Sequence, residues 1–156
     1  LYHYEWVEKF NPPRDYEWQP GTQIFVTHVE FKAYQVANVE LTFLGTIGEI
    51  EARTLKHQKH SSLLLNADDQ KLLIDVGEEH VDALSKYQPN WILLTHAHPD
   101  HAFGLKAGTE IPVWMSGDTE KALEKFPFGN KRIFQNYEPF TLGSYKITPR
   151  IFPRST

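Results

Sequence analysis

The apolar run Trp91-Ile92-Leu93-Leu94 passes directly into Thr95-His96-Ala97-His98-Pro99-Asp100-His101, so three imidazoles and a carboxylate fall within the six residues His96 to His101. The apolar part predicts a strand. The polar part then becomes a loop at its carboxyl end, where rigid backbone lets side chains converge on one point. In extended backbone alternate residues share a face, so His96 and His98 can grip one cation while Ala97 points away. Pro99 restricts His98 to an extended conformation and turns the chain, which aims Asp100 and His101 at a second cation close by.

Imidazole nitrogens with a carboxylate oxygen suit Zn²⁺ best, with Mn²⁺ and Fe²⁺ as alternatives; the chain has no cysteine to supply a thiolate. Exposed histidines with no shared role are the competing reading. It is the weaker one, because histidine is scarce and its clustered use is mostly metal ligation.

His96-Ala97-His98-Pro99-Asp100-His101 also resembles the HxHxDH signature of the metallo-β-lactamase superfamily. Val39-Glu40-Leu41-Thr42-Phe43-Leu44-Gly45-Thr46 is similar to that family's opening strand and glycine turn. His60-Ser61-Ser62-Leu63-Leu64-Leu65 is similar to the second strand of its ribonuclease Z-like and phosphodiesterase branch. Leu73-Ile74-Asp75-Val76-Gly77 resembles the strand-end Asp-x-Gly, whose aspartate supports the metal loop through hydrogen bonds. The resemblance runs from about residue 39 to 156, and within it only the histidine motif is highly specific.

The resemblance implies an αββα sandwich, two Zn²⁺ per complete site, His96 and His98 on the first and Asp100 and His101 on the second. Family members usually continue to a third histidine ligand, yet the sequence here reads Ile151-Phe152-Pro153-Arg154-Ser155-Thr156. Arg154 takes the histidine's place, and a guanidinium cannot ligate a cation. The bridging aspartate and final histidine of the family do not follow. The expectation is therefore the first half of a metallohydrolase, or a module that has lost part of its site. A missing half would leave a sheet with an exposed apolar face, which invites aggregation or a homodimer.

Two parts are expected. Residues 1–38 form an aromatic-rich appendage, with Tyr2, Tyr4, Trp6, Phe10, Tyr16 and Trp18 broken by Asn11-Pro12-Pro13 and Gln19-Pro20-Gly21, then a strand over Ile24 to Phe31. Residues 39–156 form the metallo-β-lactamase-like domain, truncated relative to the family. Its pattern is mixed α/β, with strands near 39–44, 61–66, 71–75, 91–95, 111–115, 131–134 and 145–152. One helix is expected over Glu78 to Lys86 with Val81, Leu84 and Ser85 on one side. Another starts near Ser116, capped by Asp118 or Thr119, with Ala122, Leu123 and Phe126 inward until Pro127 stops it.

No segment approaches the roughly 18 apolar residues that span a bilayer, so no membrane partner is expected and the cytoplasm is the default location. A net charge of −4 argues against indiscriminate attraction to nucleic acid.

The chemistry expected of two cations is hydrolysis by a metal-activated hydroxide, with Asp100 as the catalytic residue that orients water or protonates a leaving group. Asp75 fixes the loop from behind. The basic stretch Arg53 to His60 either greets a phosphodiester, of a small molecule or RNA, or is a solvated loop. The branch resembled favours phosphodiester hydrolysis; the alternatives are acyl substrates such as thioesters or lactones, and a non-catalytic module of the same fold. His3, His28, His57 and His80 are read as ordinary polar residues, and His60 is the one placed to approach the site.

Overall fold

The computed structural model describes residues 29–30 (backbone only), 39–48 and 59–150. Most of the expected appendage and basic loop, the end of the last expected strand, and Arg154 lie outside the described residues. His3, His28 and His57 do too.

The element order is β1 (Val29–Glu30), β2 (Val39–Gly45), β3 (Ser62–Ala67), β4 (Gln70–Ile74), a 3₁₀ turn (Glu78–His80) and α1 (Ala83–Tyr87). There follow β5 (Trp91–Leu93), α2 (Pro99–Ala102), a 3₁₀ turn (Phe103–Leu105), β6 (Val113–Met115), α3 (Gly117–Ala122), β7 (Lys131–Ile133), β8 (Phe140–Leu142) and β9 (Tyr145–Ile147). A six-stranded mixed sheet runs β2-β3-β4-β5-β6-β7, and a three-stranded sheet runs β1-β9-β8. The β2–β3 and β3–β4 pairs are antiparallel, whereas β4 to β7 are parallel. Among the described residues no helix is long and apolar enough to cross a membrane.

Neighbouring apolar residues on the central strands point to opposite faces, and both faces are covered. Leu64, Leu73 and Ile92 join Leu105, Met115 and Leu123 in one core on the helical side. Leu65, Leu72 and Leu93 join Leu142, Tyr145 and Ile147 in a second core between the sheets. This two-sided burial is why β3, β4 and β5 read as continuous apolar runs rather than alternating ones. Each fully buried leucine contributes about 2 kcal/mol. Asp68 and Asp69, both at positive φ (52° and 59°), close the β3–β4 hairpin as a two-residue turn of the type whose twist suits the strands.

Several expectations are corrected here. The helix expected over Glu78 to Lys86 is a 3₁₀ turn followed by the short α1, and Val81 is 70% exposed rather than inward, because the chain bends there to bury His80. Helix α3 is capped by Ser116, whose Oγ accepts the Thr119 N–H at 3.2 Å, and Ala122 is exposed while Leu123 is buried. The strand expected to begin at 145 ends at Ile147, and β8 was not foreseen.

Candidate metal centre

Strand β5 ends at Leu93, and Leu94 still donates its N–H to the Trp114 carbonyl at 2.8 Å, so the histidine loop leaves from the carboxyl edge of the parallel strands. His98 is extended (φ −68°, ψ 153°), and Pro99 begins α2 at the position where a missing N–H costs nothing. The His101 and Ala102 N–H groups both donate to the His98 carbonyl, at 3.0 and 2.9 Å. This helical turn curls Asp100 and His101 back toward His96.

His96, Asp100 and His101 each offer one ligand atom, and these atoms all lie within 4.8 Å of one another; among the described residues they are the one such group of three or more. The His96 and His101 ring centroids are 4.0 Å apart. His98 stands beside the group, its ring centroid 4.6 Å from that of His96, without joining it. The four expected ligands thus share one neighbourhood, and His96 faces the Asp100–His101 side.

Asp75 organises this neighbourhood from below. Its Oδ1 accepts the Thr95 N–H at 2.8 Å, and its Oδ2 accepts the Thr95 hydroxyl and His101 Nδ1, each at 2.7 Å. The single hydroxyl hydrogen of Thr95 is thereby committed, so the 3.0 Å contact between Thr95 Oγ1 and His96 Nδ1 has the ring donating. Both His96 and His101 then carry hydrogen on Nδ1, so Nε2 is the nitrogen each would offer a metal, and that of His101 lies 3.2 Å from Asp100 Oδ2. Asp75 is 5% exposed and sits at φ 58°, a left-handed conformation that aspartate tolerates better than most residues. Its carbonyl accepts the Ser62 hydroxyl at 2.8 Å.

Burial pushes His96 down to about 4, with the charge of His101 adding to the effect, so at neutral pH its ring is neutral, the form in which imidazole ligates a metal. Burial also acts to lower His101, but the hydrogen bond and charge of Asp75, with the charge of Asp100, outweigh it and hold His101 above the usual histidine range. His101 Nε2 lies 3.2 Å from Asp100 Oδ2. A divalent cation fits this donor set. Asp100 is 5% exposed, and its Oδ1 is fully buried with no hydrogen-bond partner among the described residues. An ionised oxygen left bare is costly unless a cation or water takes it up.

The walls are close. A Cβ on Gly77 would lie 2.3 Å from the Asp100 carbonyl oxygen and 2.4 Å from His60 Cβ, so only glycine fits. The Val76 N–H donates to the His101 carbonyl at 2.6 Å, and the Gly104 N–H to the Val76 carbonyl at 2.9 Å. Thr95 and Ser62 take part in building the centre although their sequence context assigned them no role. Thr95 had a signal, since it is the hydroxyl residue joining strand and motif.

Residues 39–123, more than half of the chain, match the family model described as anti-Pycsar protein Apyc1. The chain belongs to this family. It is also 34% identical over 100 residues to the ribonuclease Z of Clostridium botulinum (strain Eklund 17B / Type B), covering 61% of this chain and 30% of that protein. The ribonuclease Z of Borrelia duttonii (strain Ly) is 34% identical over 89 residues, covering 54% of this chain and 27% of its own length. The match with this family member therefore spans less than a third of the length of those curated relatives.

Among solved structures, the metallo-β-lactamase fold protein YhfI from Bacillus subtilis aligns with a TM-score of 0.56 at 21% identity, over 70% of this chain and 52% of that one. A diphosphatase from the PhnP family aligns with a TM-score of 0.53 at 20% identity, over 67% of this chain and 53% of that one. The fold is that of the metallo-β-lactamases, as the histidine motif led one to expect, and the ribonuclease Z-like resemblance holds over part of the chain.

Proposed function

We propose that this chain carries the cation-binding loop of a metal-dependent hydrolase that cleaves phosphodiesters, in a nucleotide or in RNA. The observation that supports it is that His96, Asp100 and His101 bring one ligand atom each within 4.8 Å of one another, while Asp100 Oδ1 is buried with no hydrogen-bond partner among the described residues. The ribonuclease Z relatives, at 34% identity over part of the chain, support the substrate class. We assign this role to residues 39–156, with 1–38 as an appendage.

His96, His98, Asp100 and His101 are the ligands we assign, with zinc as the metal, two to a complete site. Bound zinc supplies Lewis acidity, lowering the pKa of water and polarising a phosphoryl oxygen. The chain's own part is orientation and proton control. Asp75 and Thr95 occupy the Nδ1 atoms of His101 and His96, so Nε2 is the nitrogen each ring would offer a cation. His101 lies between Asp75 and Asp100, bonded to the first through Nδ1 and facing the second through Nε2, so a cation held there would compete with a proton for Nε2. Asp100 would help hold the cation, and its Oδ2, 3.2 Å from His101 Nε2, would be placed to orient a water.

The test is zinc-loaded protein assayed on bis-p-nitrophenyl phosphate, beside a Asp100→Asn variant. Turnover that depends on zinc and on Asp100 supports the reading. Retained zinc without turnover points to a non-catalytic module, and hydrolysis of a thioester or lactone instead points to the acyl alternative.

A further inference from the structure

His80 is an imidazole that the proposed chemistry does not use, yet it is only 3% exposed and sits in the short turn that follows Asp75-Val76-Gly77. Its Nε2 lies 2.8 Å from the carbonyl oxygen of His60, to which it donates. The neighbouring Glu79 accepts the His60 N–H on Oε2 at 3.1 Å, and the same oxygen lies 3.8 Å from His60 Nδ1. The turn therefore grips both backbone groups of His60, one with each of two consecutive side chains.

His60 in turn touches the Asp100 neighbourhood by two routes. On one side Gly77 is wedged between His60 Cβ and the Asp100 carbonyl, with no room for a methyl group. On the other, the carbonyl of Lys59 accepts the Thr46 and Ile47 N–H groups, at 3.1 and 2.9 Å. That fixes Gly48, where a Cβ would lie 3.8 Å from Asp100 Oδ2. The first contact meets the Asp100 backbone, and the second, at van der Waals range, its carboxylate Oδ2. Burial lowers the pKa of His80 despite the bond to His60, so the ring is neutral at neutral pH.

We propose that His80, together with Glu79, is a positioning residue of the metal centre: by clamping His60 it holds Gly77 against the Asp100 backbone and Gly48 beside the Asp100 carboxylate. The proposal rests on the reading of that centre as a cation site. It expects that loss of the clamp loosens the metal without abolishing the fold, on the scale of about 10-fold or more in affinity found for groups that orient metal ligands.

The experiment measures zinc affinity by chelator competition, with urea unfolding of the metal-free protein alongside. The variants are His80→Phe, His80→Gln and Glu79→Ala. His80→Phe fills the buried space without a donor. His80→Gln places an amide N–H where Nε2 stood, and Glu79→Ala removes the acceptor of the His60 N–H while leaving His80 in place.

Expected are about 10-fold weaker zinc binding for His80→Phe, restoration by His80→Gln, and weakening for Glu79→Ala, each with cooperative unfolding. Should His80→Phe fail to fold, the comparison of His80→Gln with Glu79→Ala carries the test. Zinc binding as tight as wild type in His80→Phe or Glu79→Ala would overturn the proposal. So would a His80→Gln protein as loose as His80→Phe, which would make the role one of packing. A wild-type protein that takes up no zinc refutes the cation site itself, an outcome distinct from equal binding across the variants.

Discussion

Replacing Asp75 by asparagine is the sharpest perturbation of the centre. The left-handed backbone at φ 58° accepts asparagine nearly as well as aspartate, so little backbone strain is added. What changes is one oxygen. If the amide keeps its oxygen toward the Thr95 N–H, its NH₂ replaces Oδ2 and faces the Thr95 hydroxyl and His101 Nδ1. The hydroxyl can reverse, but the ring N–H meets a second donor. With the amide flipped, the same conflict falls on the Thr95 N–H.

A hydrogen bond to a charged group is worth about 1.5–3 kcal/mol, and at a buried site its loss is not repaid by water. Urea unfolding of metal-free Asp75→Asn should therefore show about 2–3 kcal/mol lost. His101 can escape the conflict only by moving its proton to Nε2, which withdraws that nitrogen from the cation. Zinc affinity should then fall about 10- to 100-fold, and nitrogen chemical shifts should report the changed tautomer. A variant with wild-type zinc affinity and unfolding midpoint would refute the view that Asp75 sets the tautomer of His101.

Gly77→Ala places a methyl group 2.3 Å from the Asp100 carbonyl oxygen, and overpacking of this kind costs about 1–3 kcal/mol; denaturation together with weakened zinc binding checks it. Ser116→Ala removes the acceptor of the Thr119 N–H and should cost about 1 kcal/mol without touching zinc affinity, a control for general destabilisation. The pH dependence has a defined sign. His80 and His96 are lowered by burial, so the stability they contribute is full above the ordinary value of 6.5 and is lost as pH falls, because the unfolded chain takes up protons first. His101 is raised and opposes them, with its contribution lost as pH rises through its folded value. Metal-free His80→Gln should accordingly lose less stability than wild type between pH 7.5 and 5, as read from unfolding midpoints at the two pH values.

The strands were legible where burial on two faces left its mark in sequence. Leu72-Leu73-Ile74 and Trp91-Ile92-Leu93 could hardly be other than buried strands, and β7 was placed by its position in the alternation of strands and helices. Strand β8 was missed because Phe140–Leu142 is short and half exposed, although Gly143 at φ 55° and Ser144 form a two-residue turn to β9 that the sequence does signal. The turn at Glu78–His80 was misread as regular helix because the force that ends it is a hydrogen bond to His60, 20 residues back.

The same distinction holds at the centre. His96, His98, Asp100 and His101 announce themselves by being adjacent in the chain, whereas the bonds from Thr95 and His101 to Asp75 span 20 and 26 residues. Periodicity carries no trace of such contacts, and only the resemblance pointed to Asp75.

Anomalous diffraction at the zinc edge, from crystals of the zinc-loaded protein, tests the cation site most directly. A peak within bonding distance of Asp100 and of His96 or His101 Nε2 is expected. Full occupancy elsewhere, or no peak at this loop while the protein is folded and zinc is in excess, would contradict it.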